Sequence, residues 1–453
     1  MSEKRASWSG QLAFIFAVAA SAIGLGNLWR FPYLAARYGG GMFIVIYLTL
    51  ALTLGLVIMA TEIAIGRRSK QSQLTAFSTL GHSSWAWVGA LSTLIPMLMF
   101  PYYCVVVGWV IKFFAYYASV VSGFGAHAPD SGVIFDGFVA SGGGPTFFMA
   151  LAVIVTVVIV ILGVKNGIER ANKFLIPTLF LMAFALAIYI AFLPGAGAGI
   201  RYYLVPDFSK TEGLGKVVIG AMGQMFHSLS LAMGIMITYG SYLKREASVT
   251  RSAVQIVVAD SLFAVLAGFM VIPVLYAIAV RAGQDPAAAM QSGPGLLFKS
   301  LPAIFDGMGR AGDFLGLVFF ALAFFAAITS AISLCETCVA SLCDRLGWRR
   351  ATATMVFGAY AIAAGVLPAF SMTALDWIDT IINNMLLPIC AIGICIFAGW
   401  VFGPGRLTME IRDHGRRWSL TRIYAFSIRY IAPVLVTLIL ASNIAQTFGW
   451  LKL

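Results

Sequence analysis

The sequence predicts an all-α integral membrane protein of about eleven transmembrane helices arranged as a five-plus-five inverted repeat, and three observations predict it. First, 60% of the 453 residues are hydrophobic and only 11% charged, with a mean hydropathy of +0.91. A soluble chain of this length carries about twice that charge. Second, apolar segments long enough to cross a bilayer recur along the whole chain. Third, two of them are interrupted by glycine and polar residues at corresponding places in the two halves.

The apolar segments fall at 11–36, 41–65, 86–121, 146–164, 171–193, 216–242, 252–281, 313–343, 352–370, 376–403 and 424–448. Several exceed the minimum crossing length, which implies tilt or extension beyond the membrane. The start, Met1 to Trp8, is short and basic, and the apolar segment after it is too long for a signal-peptide core, so no cleavable leader is expected.

Lys and Arg set the orientation. With the N-terminus inside, the inner stretches hold Lys4, Arg5, Arg67, Arg68, Lys70, Lys165, Arg170, Lys173, Lys244, Arg245, Arg251, Arg345, Arg349, Arg350, Arg406, Arg412, Arg416, Arg417 and Arg422. The outer loops are poorer, which places the C-terminus outside for an odd number of crossings. The net charge of +12 is this bias and points to no nucleic acid. Cys104, Cys335, Cys338, Cys343, Cys390 and Cys395 all lie in apolar segments, so no disulfide framework is expected; the Cys335–Cys338 spacing lacks the βαβ context of a redox motif and reads as packing.

The first segment contains Ser21-Ala22-Ile23-Gly24-Leu25-Gly26-Asn27-Leu28-Trp29-Arg30-Phe31-Pro32-Tyr33. Open backbone inside a bilayer survives only where it is buried in protein or lines a watery cavity. A break here frees carbonyls from one half-helix for a cation and amides from the other for a carboxylate. A kinked helix that packs through its glycines fits the same local pattern. The sixth segment carries a second interruption, Gly223-Gln224-Met225-Phe226-His227-Ser228-Leu229-Ser230-Leu231-Ala232-Met233-Gly234. These are the first helices of two five-helix sets, 11–193 and 216–403, with 424–448 as an extra helix; five being odd, the second set runs inverted. Matching breaks in inverted halves point to a transporter site.

These residues resemble the neurotransmitter:sodium symporter family, close to its bacterial amino-acid transporters. The likeness runs through nearly the whole chain as one transporter domain. It is carried by the Gly24-to-Pro32 run with Gly39-Gly40-Gly41 after it, Gly223-Gln224 leading into Ser228-Leu229-Ser230, and Thr329-Ser330. The resemblance implies sodium-driven uptake by alternating access in the plasma membrane, with an amino acid and the bilayer as partners. It sets no oligomeric state.

It also implies two sodium sites. One would use the Ala22 carbonyl, the Asn27 side chain, the Ser228 carbonyl and hydroxyl, the side chain at Asp260 and the substrate carboxylate. The other would use carbonyls of Ala20, Ile23 and Ala326 with the hydroxyls of Thr329 and Ser330. Hard cations take several oxygens, and these positions supply them with little fixed charge. Asp260 stands where the family commonly has asparagine, and a carboxylate inside a span is expensive and usually functional. Tyr47, Gln224 and Ser228 match the chloride site of animal members, but the remaining hydroxyl position is Ala264. Chloride-independent transport is therefore expected, with Asp260 supplying the negative charge. The competing reading puts Asp260 in solvent near a helix end. Glu62 is expected to hydrogen-bond near the same region.

For the substrate, the resemblance implies a carboxylate against the Leu25 and Gly26 amides and the Tyr103 hydroxyl. The amino group would meet carbonyls of Ala22, His227 and Ser228 and the Ser230 hydroxyl. Gly24 leaves room for the substrate's own carboxylate where monoamine carriers have aspartate. Ser21, Met99, Val106, Met233, Ser330, Ser333 and Leu334 would line the side-chain pocket, which suits aliphatic and aromatic neutral amino acids. His227 replaces a gate-forming aromatic and is read either as a pH-sensitive cap or as a satisfied core histidine.

The outer gate would pair Arg30 with Asp379, with Asp376 one turn earlier; the inner gate would pair Arg5 with Asp344 beside Trp8 and Tyr242. Gly167 and Pro177 bracket the inner end of the fifth span, where related transporters unwind to admit water. No metalloprotease motif, paired catalytic carboxylates or dinucleotide fingerprint occurs, so no enzyme is expected. A channel, or a transporter-like sensor that binds without turnover, shares many of these features. Energetically, each inward sodium gains ~2.3 kcal/mol per 100 mV and ~1.4 kcal/mol per tenfold gradient.

Overall fold

A computed structural model describes residues 6–125, 131–207, 213–281, 293–411 and 421–447. Among the described residues nine helices are long and apolar enough to cross a membrane: Gly41–Ser69, Ser83–Val121, Gly143–Ile161, Val164–Ala191, Val249–Ala277, Arg310–Leu346, Arg350–Phe370, Met372–Val401 and Thr421–Thr447. A further pair, Gln11–Ala22 and Leu25–Arg37, bends by 57° at a short break. The sixth segment forms two shorter helices, Leu214–Ser228 and Ile235–Ser241. All eleven expected segments are helical among the described residues, ten of them long and apolar enough to cross with the bent pair counted once, and the sixth in two shorter pieces. No strand is found among those residues beyond one isolated bridge between Gly40 and Pro206.

The interior is a single apolar core in which the broken spans are enclosed. Span 1 packs against spans 5, 7 and 8, and span 8 packs against span 3. The second half of span 6 lies on span 2 at very short range. A β-carbon on Gly66 would meet the Ile237 carbonyl at 1.9 Å, and one on Gly240 would meet that of Ile63 at 2.6 Å. Only glycine permits that approach, the usual device for close helix contact in a membrane. All six cysteines are free thiols.

The inner end of the fifth span is wound in this structure. Val164–Glu169 is not unwound; it is a π-helical turn that continues into a helix containing Pro177. Gly167 is buried in that turn, pressed onto the Ile159 carbonyl. The Glu169 carboxylate accepts from the Ser9 amide at 3.0 Å and from the Ser9 hydroxyl, both outside the span, and pairs with Lys173 one turn on in the same span at 2.7 Å. Those bonds hold the segment wound.

Candidate functional site

The first break begins where the helix ending at Ala22 gives way to extended backbone at Ile23 and Gly24. Ile23 N–H still reaches the Ala19 carbonyl at 2.8 Å and Asn27 N–H the Gly24 carbonyl at 3.1 Å. Among the described residues, no backbone amide bonds to the carbonyls of Ala20, Ala22 or Ile23. Among the same residues, none of the amides of Gly24, Leu25 and Gly26 finds a backbone acceptor. Buried backbone groups of this kind require partners, so the break is built to bind something polar.

The second break, Leu229–Gly234, contains three left-handed residues: Ser230 at φ +50°, Ala232 at φ +62° and Gly234 at φ +74°. Two of them carry a β-carbon, a conformation that costs roughly 1–3 kcal/mol per residue. Fully buried Glu62 anchors the break, accepting the Ala232 amide at 2.8 Å. Its other carboxylate oxygen has no hydrogen-bond partner among the described residues. Glu62 thus bonds the second break and not the Asp260 cluster near which it was expected.

A small cavity of about 40 Å³ opens between the breaks. Eleven of the fourteen expected substrate residues line it: Ser21, Ala22, Leu25, Gly26, Met99, Tyr103, His227, Ser230, Met233, Ser330 and Leu334. Gly24, Asn27 and Ile235 complete the wall. A β-carbon on Gly24 would stand 2.8 Å from Ser330 Oγ, so that glycine is sterically required. The buried Tyr103 hydroxyl has no hydrogen-bond partner among the described residues.

Three expected residues do not line the cavity. Val106 is buried in the core beyond it. The Ser333 hydroxyl accepts from Tyr239 at 3.0 Å and donates to the Thr329 carbonyl at 3.2 Å, which places it in the packing below. The Ser228 side chain turns instead toward Asp260.

Asp260 is fully buried in the seventh span, so the solvent-facing reading is excluded. Its carboxylate accepts from Asn27 Nδ2 at 2.8 Å, Tyr47 Oη at 3.0 Å and Ser228 Oγ at 2.8 Å. Ser228 Oγ also lies 3.3 Å from Asn27 Oδ1. Three segments therefore converge on one buried carboxylate, Asn27 through its Nδ2 and Tyr47 and Ser228 through their hydroxyls. Of the other expected cation set, the eighth-span members Ala326, Thr329 and Ser330 lie together on one helix, and Ser330 reaches the end of the first half-helix at Ser21 rather than Ala20 or Ile23. Thr329 and Ser330 hydroxyls reach the Ala326 carbonyl at 3.0 and 3.3 Å, and Ser330 Oγ lies 3.3 Å from the Ser21 carbonyl. Gln224 Nε2 reaches the Gly26 carbonyl at 3.5 Å, while its Oε1 is buried without a hydrogen-bond partner among the described residues.

Above the cavity lies a vestibule of about 190 Å³ whose lining includes Arg30, Arg37, His227, Asn383, Asn443 and Gln446. No ion pair of 4 Å or less joins Arg30 to Asp379, a departure from the expected gate. Asp379 Oδ1 instead accepts from Tyr102 Oη at 2.9 Å and Asn383 Nδ2 at 2.7 Å. Asn383, absent from the expected set, sits in a π-helical turn over Ile382–Leu386. Two adjacent asparagines in an otherwise apolar span were the available signal.

On the opposite side, buried Trp8 donates to the Tyr239 carbonyl at 3.0 Å and its ring meets Phe14, Tyr239 and Tyr242. Tyr242 Oη donates to Glu336 at 2.8 Å, and Glu336, fully buried, is paired with Arg350. Neither Glu336 nor Arg350 was expected to take part in this closure. Arg5 lies outside the described residues; Asp344 accepts the Ser72 amide at 2.6 Å.

The family model described as the sodium:neurotransmitter symporter family matches residues 5–123 and 134–450. An uncharacterized sodium-dependent transporter of Methanocaldococcus jannaschii is 33% identical over 97% of this chain and 91% of its own. A second, from Haemophilus influenzae, is 32% identical over 98% of this chain and 99% of its own. The dog sodium- and chloride-dependent taurine transporter is 26% identical over 95% and 77%. Among solved structures, that of MhsT in complex with L-phenylalanine superposes with a TM-score of 0.85 at 33% identity, covering 97% of this chain and all of the other. The chain belongs to the sodium:neurotransmitter symporter family and is a sodium-dependent membrane transporter of that family.

Proposed function

We infer that this protein imports neutral hydrophobic L-amino acids together with sodium, by alternating access, without a requirement for chloride. The observation that carries the reading is shared lining. Asn27 belongs both to the cavity wall and to the partners of Asp260, so a bound carboxylate and a cation held by Asn27 and Asp260 would be neighbours in one dry site. Each would then tighten the other's binding, which is what coupling requires. Free amides at Leu25 and Gly26 with the Tyr103 hydroxyl suit the carboxylate; the Ala22 carbonyl and Ser230 suit the ammonium.

No Asp, Glu, Lys or Arg lines the cavity. Met99, Met233, Ile235 and Leu334 form its apolar side, and flexible methionines allow it to widen around larger side chains. The similarity to MhsT, solved with L-phenylalanine, supports the same substrate class. Two sodium sites are proposed: Ala22, Asn27, Ser228 and Asp260 for one, Ala20, Ile23, Ala326, Thr329 and Ser330 for the other. Asp260 takes the place of an anion, the N-terminus is cytoplasmic and the C-terminus outside, and Arg30–Asp379 and Trp8–Tyr242 lie at the two gates.

The test is accumulation of labelled leucine or phenylalanine in proteoliposomes under an imposed inward sodium gradient, with chloride replaced by gluconate. Sodium-dependent accumulation in both media is expected. Sodium-dependent binding without accumulation would replace transport by a sensor role, and dependence on chloride would remove the role given to Asp260.

A further inference from the structure

His227 borders both the vestibule and the cavity, and its two ring nitrogens face different surroundings. Nδ1 lies 3.3 Å from Asn383 Oδ1. The Asn383 amide has only one satisfactory orientation. Its other terminus meets two acceptors of Asp379, the carbonyl at 3.0 Å and carboxylate Oδ1 at 2.7 Å. An amide oxygen turned that way would face two oxygens with no hydrogen between them, so the NH₂ faces Asp379 and the oxygen faces His227. An oxygen can only accept; Nδ1 therefore carries the hydrogen. In the neutral imidazole Nε2 is then a bare lone pair. That edge of the ring lies over Gly26, whose added β-carbon would stand 2.6 Å from Cδ2 and 2.8 Å from Nε2.

The hydroxyls of the cavity behave alike. Ser230 donates to the Ser21 carbonyl at 3.0 Å, Ser21 Oγ to Ser230 Oγ at 3.5 Å, and Ser330 to the carbonyls of Ser21 and Ala326, both at 3.3 Å. Each hydrogen is directed to another protein oxygen rather than into the cavity, so these hydroxyls offer a bound side chain no donor. The lining hydroxyl not so engaged is Tyr103, near Gly24 at the end with the free amides.

We propose that His227, oriented by Asn383, makes this a donor-selecting site. Among neutral aromatic amino acids it favours those whose side chain carries an N–H or O–H, indole above all, over isosteres that lack one. Asn383 acts as a positioning residue that fixes which nitrogen of the ring accepts. The inference rests on reading the cavity as an amino-acid site, and it adds the hydrogen-bonding class of the side chain.

Competition against labelled L-phenylalanine in sodium, on the purified protein, tests it with two competitors of matched shape. These are L-tryptophan and 3-benzothienyl-L-alanine, in which sulfur replaces the indole N–H. One gained hydrogen bond makes tryptophan roughly fivefold or more the better competitor. In His227→Phe the ratio of the two constants falls to about one, whatever happens to each separately, and in Asn383→Leu it falls part of the way. A ratio of one in the unmodified protein overturns the proposal without recourse to any variant, as does a ratio unchanged in His227→Phe. Phenylalanine binding with no donor preference leaves the amino-acid reading standing and removes only this one. Absence of sodium-dependent binding for phenylalanine, leucine and tryptophan alike overturns both.

Discussion

Asp260→Asn isolates the charge from the shape of the cation site. The carboxylate is fully buried and takes hydrogen bonds of 2.8 to 3.0 Å from Asn27, Tyr47 and Ser228. A unit negative charge about 4 Å from a sodium ion contributes about 4 kcal/mol at an effective dielectric constant near 20, equivalent to nearly three decades in affinity. Asparagine keeps one oxygen as a ligand, so the sodium concentration for half-maximal substrate binding should rise between about tenfold and about a thousandfold. The substitution also releases the Tyr47 and Ser228 hydroxyls and adds an NH₂, a set of donors suited to a small anion. Chloride should then recover part of the lost affinity, which it does not affect in the unmodified protein. The assay is equilibrium binding of labelled leucine against sodium, in chloride and in gluconate, with thermal unfolding as a check on integrity. A half-maximal sodium concentration changed less than twofold would refute the assignment of this carboxylate to the cation.

Three further outcomes follow from contacts described above. Gly26→Ala drives a β-carbon to 2.6 Å from the His227 ring, and substrate binding should fall at least tenfold; Gly26→Ala with His227→Ala should recover part of it in the same binding assay. Trp8→Ala removes a fully buried indole that meets three aromatic rings and donates one hydrogen bond, a loss of about 3–5 kcal/mol. Lower thermal stability and faster amide exchange over the first described residues should result; unchanged exchange would remove Trp8 from the closure. Arg350→Ala leaves the Glu336 carboxylate buried without its cation, at a cost of about 3–5 kcal/mol, whereas Glu336→Leu with Arg350→Leu should cost less. Denaturation of the three proteins side by side decides it.

The spans were legible because hydropathy is a property of the local chain. The third span was expected at 86–121 and its α-helix is Ala86–Val121. The fifth begins earlier than expected, at Val164 rather than 171, because Lys165 and Asn166 read as loop residues but sit in a π-turn. The breaks were legible because glycine and asparagine are costly inside a membrane helix, so their presence in Gly24–Asn27 demanded a reason. What local pattern does not carry is the direction of a side chain across a π-turn. Such a turn inserts a residue and rotates every later side chain about the axis. Asn383 lies in one, over Ile382–Leu386, and no count of residues along the span places it beside His227. Ser333 illustrates the complementary miss. It lies one turn beyond Ser330, and only the position of Tyr239 on another span decides that it packs below the cavity rather than lining it.

The two ends of the cavity are closed by different means, and the difference bears on how access alternates. Toward the vestibule the partition includes one residue that borders both spaces, His227, hydrogen-bonded to Asn383 of the tenth span. Toward the N-terminal segment the closure is several layers deep: Ser333 against Tyr239, then Trp8 on Tyr239 and Tyr242, then Tyr242 on the Glu336–Arg350 pair. Breaking the thin side means displacing one ring and one hydrogen bond, a matter of about 1–2 kcal/mol. Opening the thick side exposes a buried tryptophan and releases the Ser9 bonds that keep the Val164–Glu169 turn wound. The first opening is within reach of thermal fluctuation, and the second needs a bound-state change to supply the difference. Ser9 ties the N-terminal segment to Glu169 while Ser330 ties the first break to the eighth span. Movement of span 1 therefore strains both contacts at once. The free energy that opens the deep side must enter through the break itself, where Asn27 joins the cavity wall to Asp260.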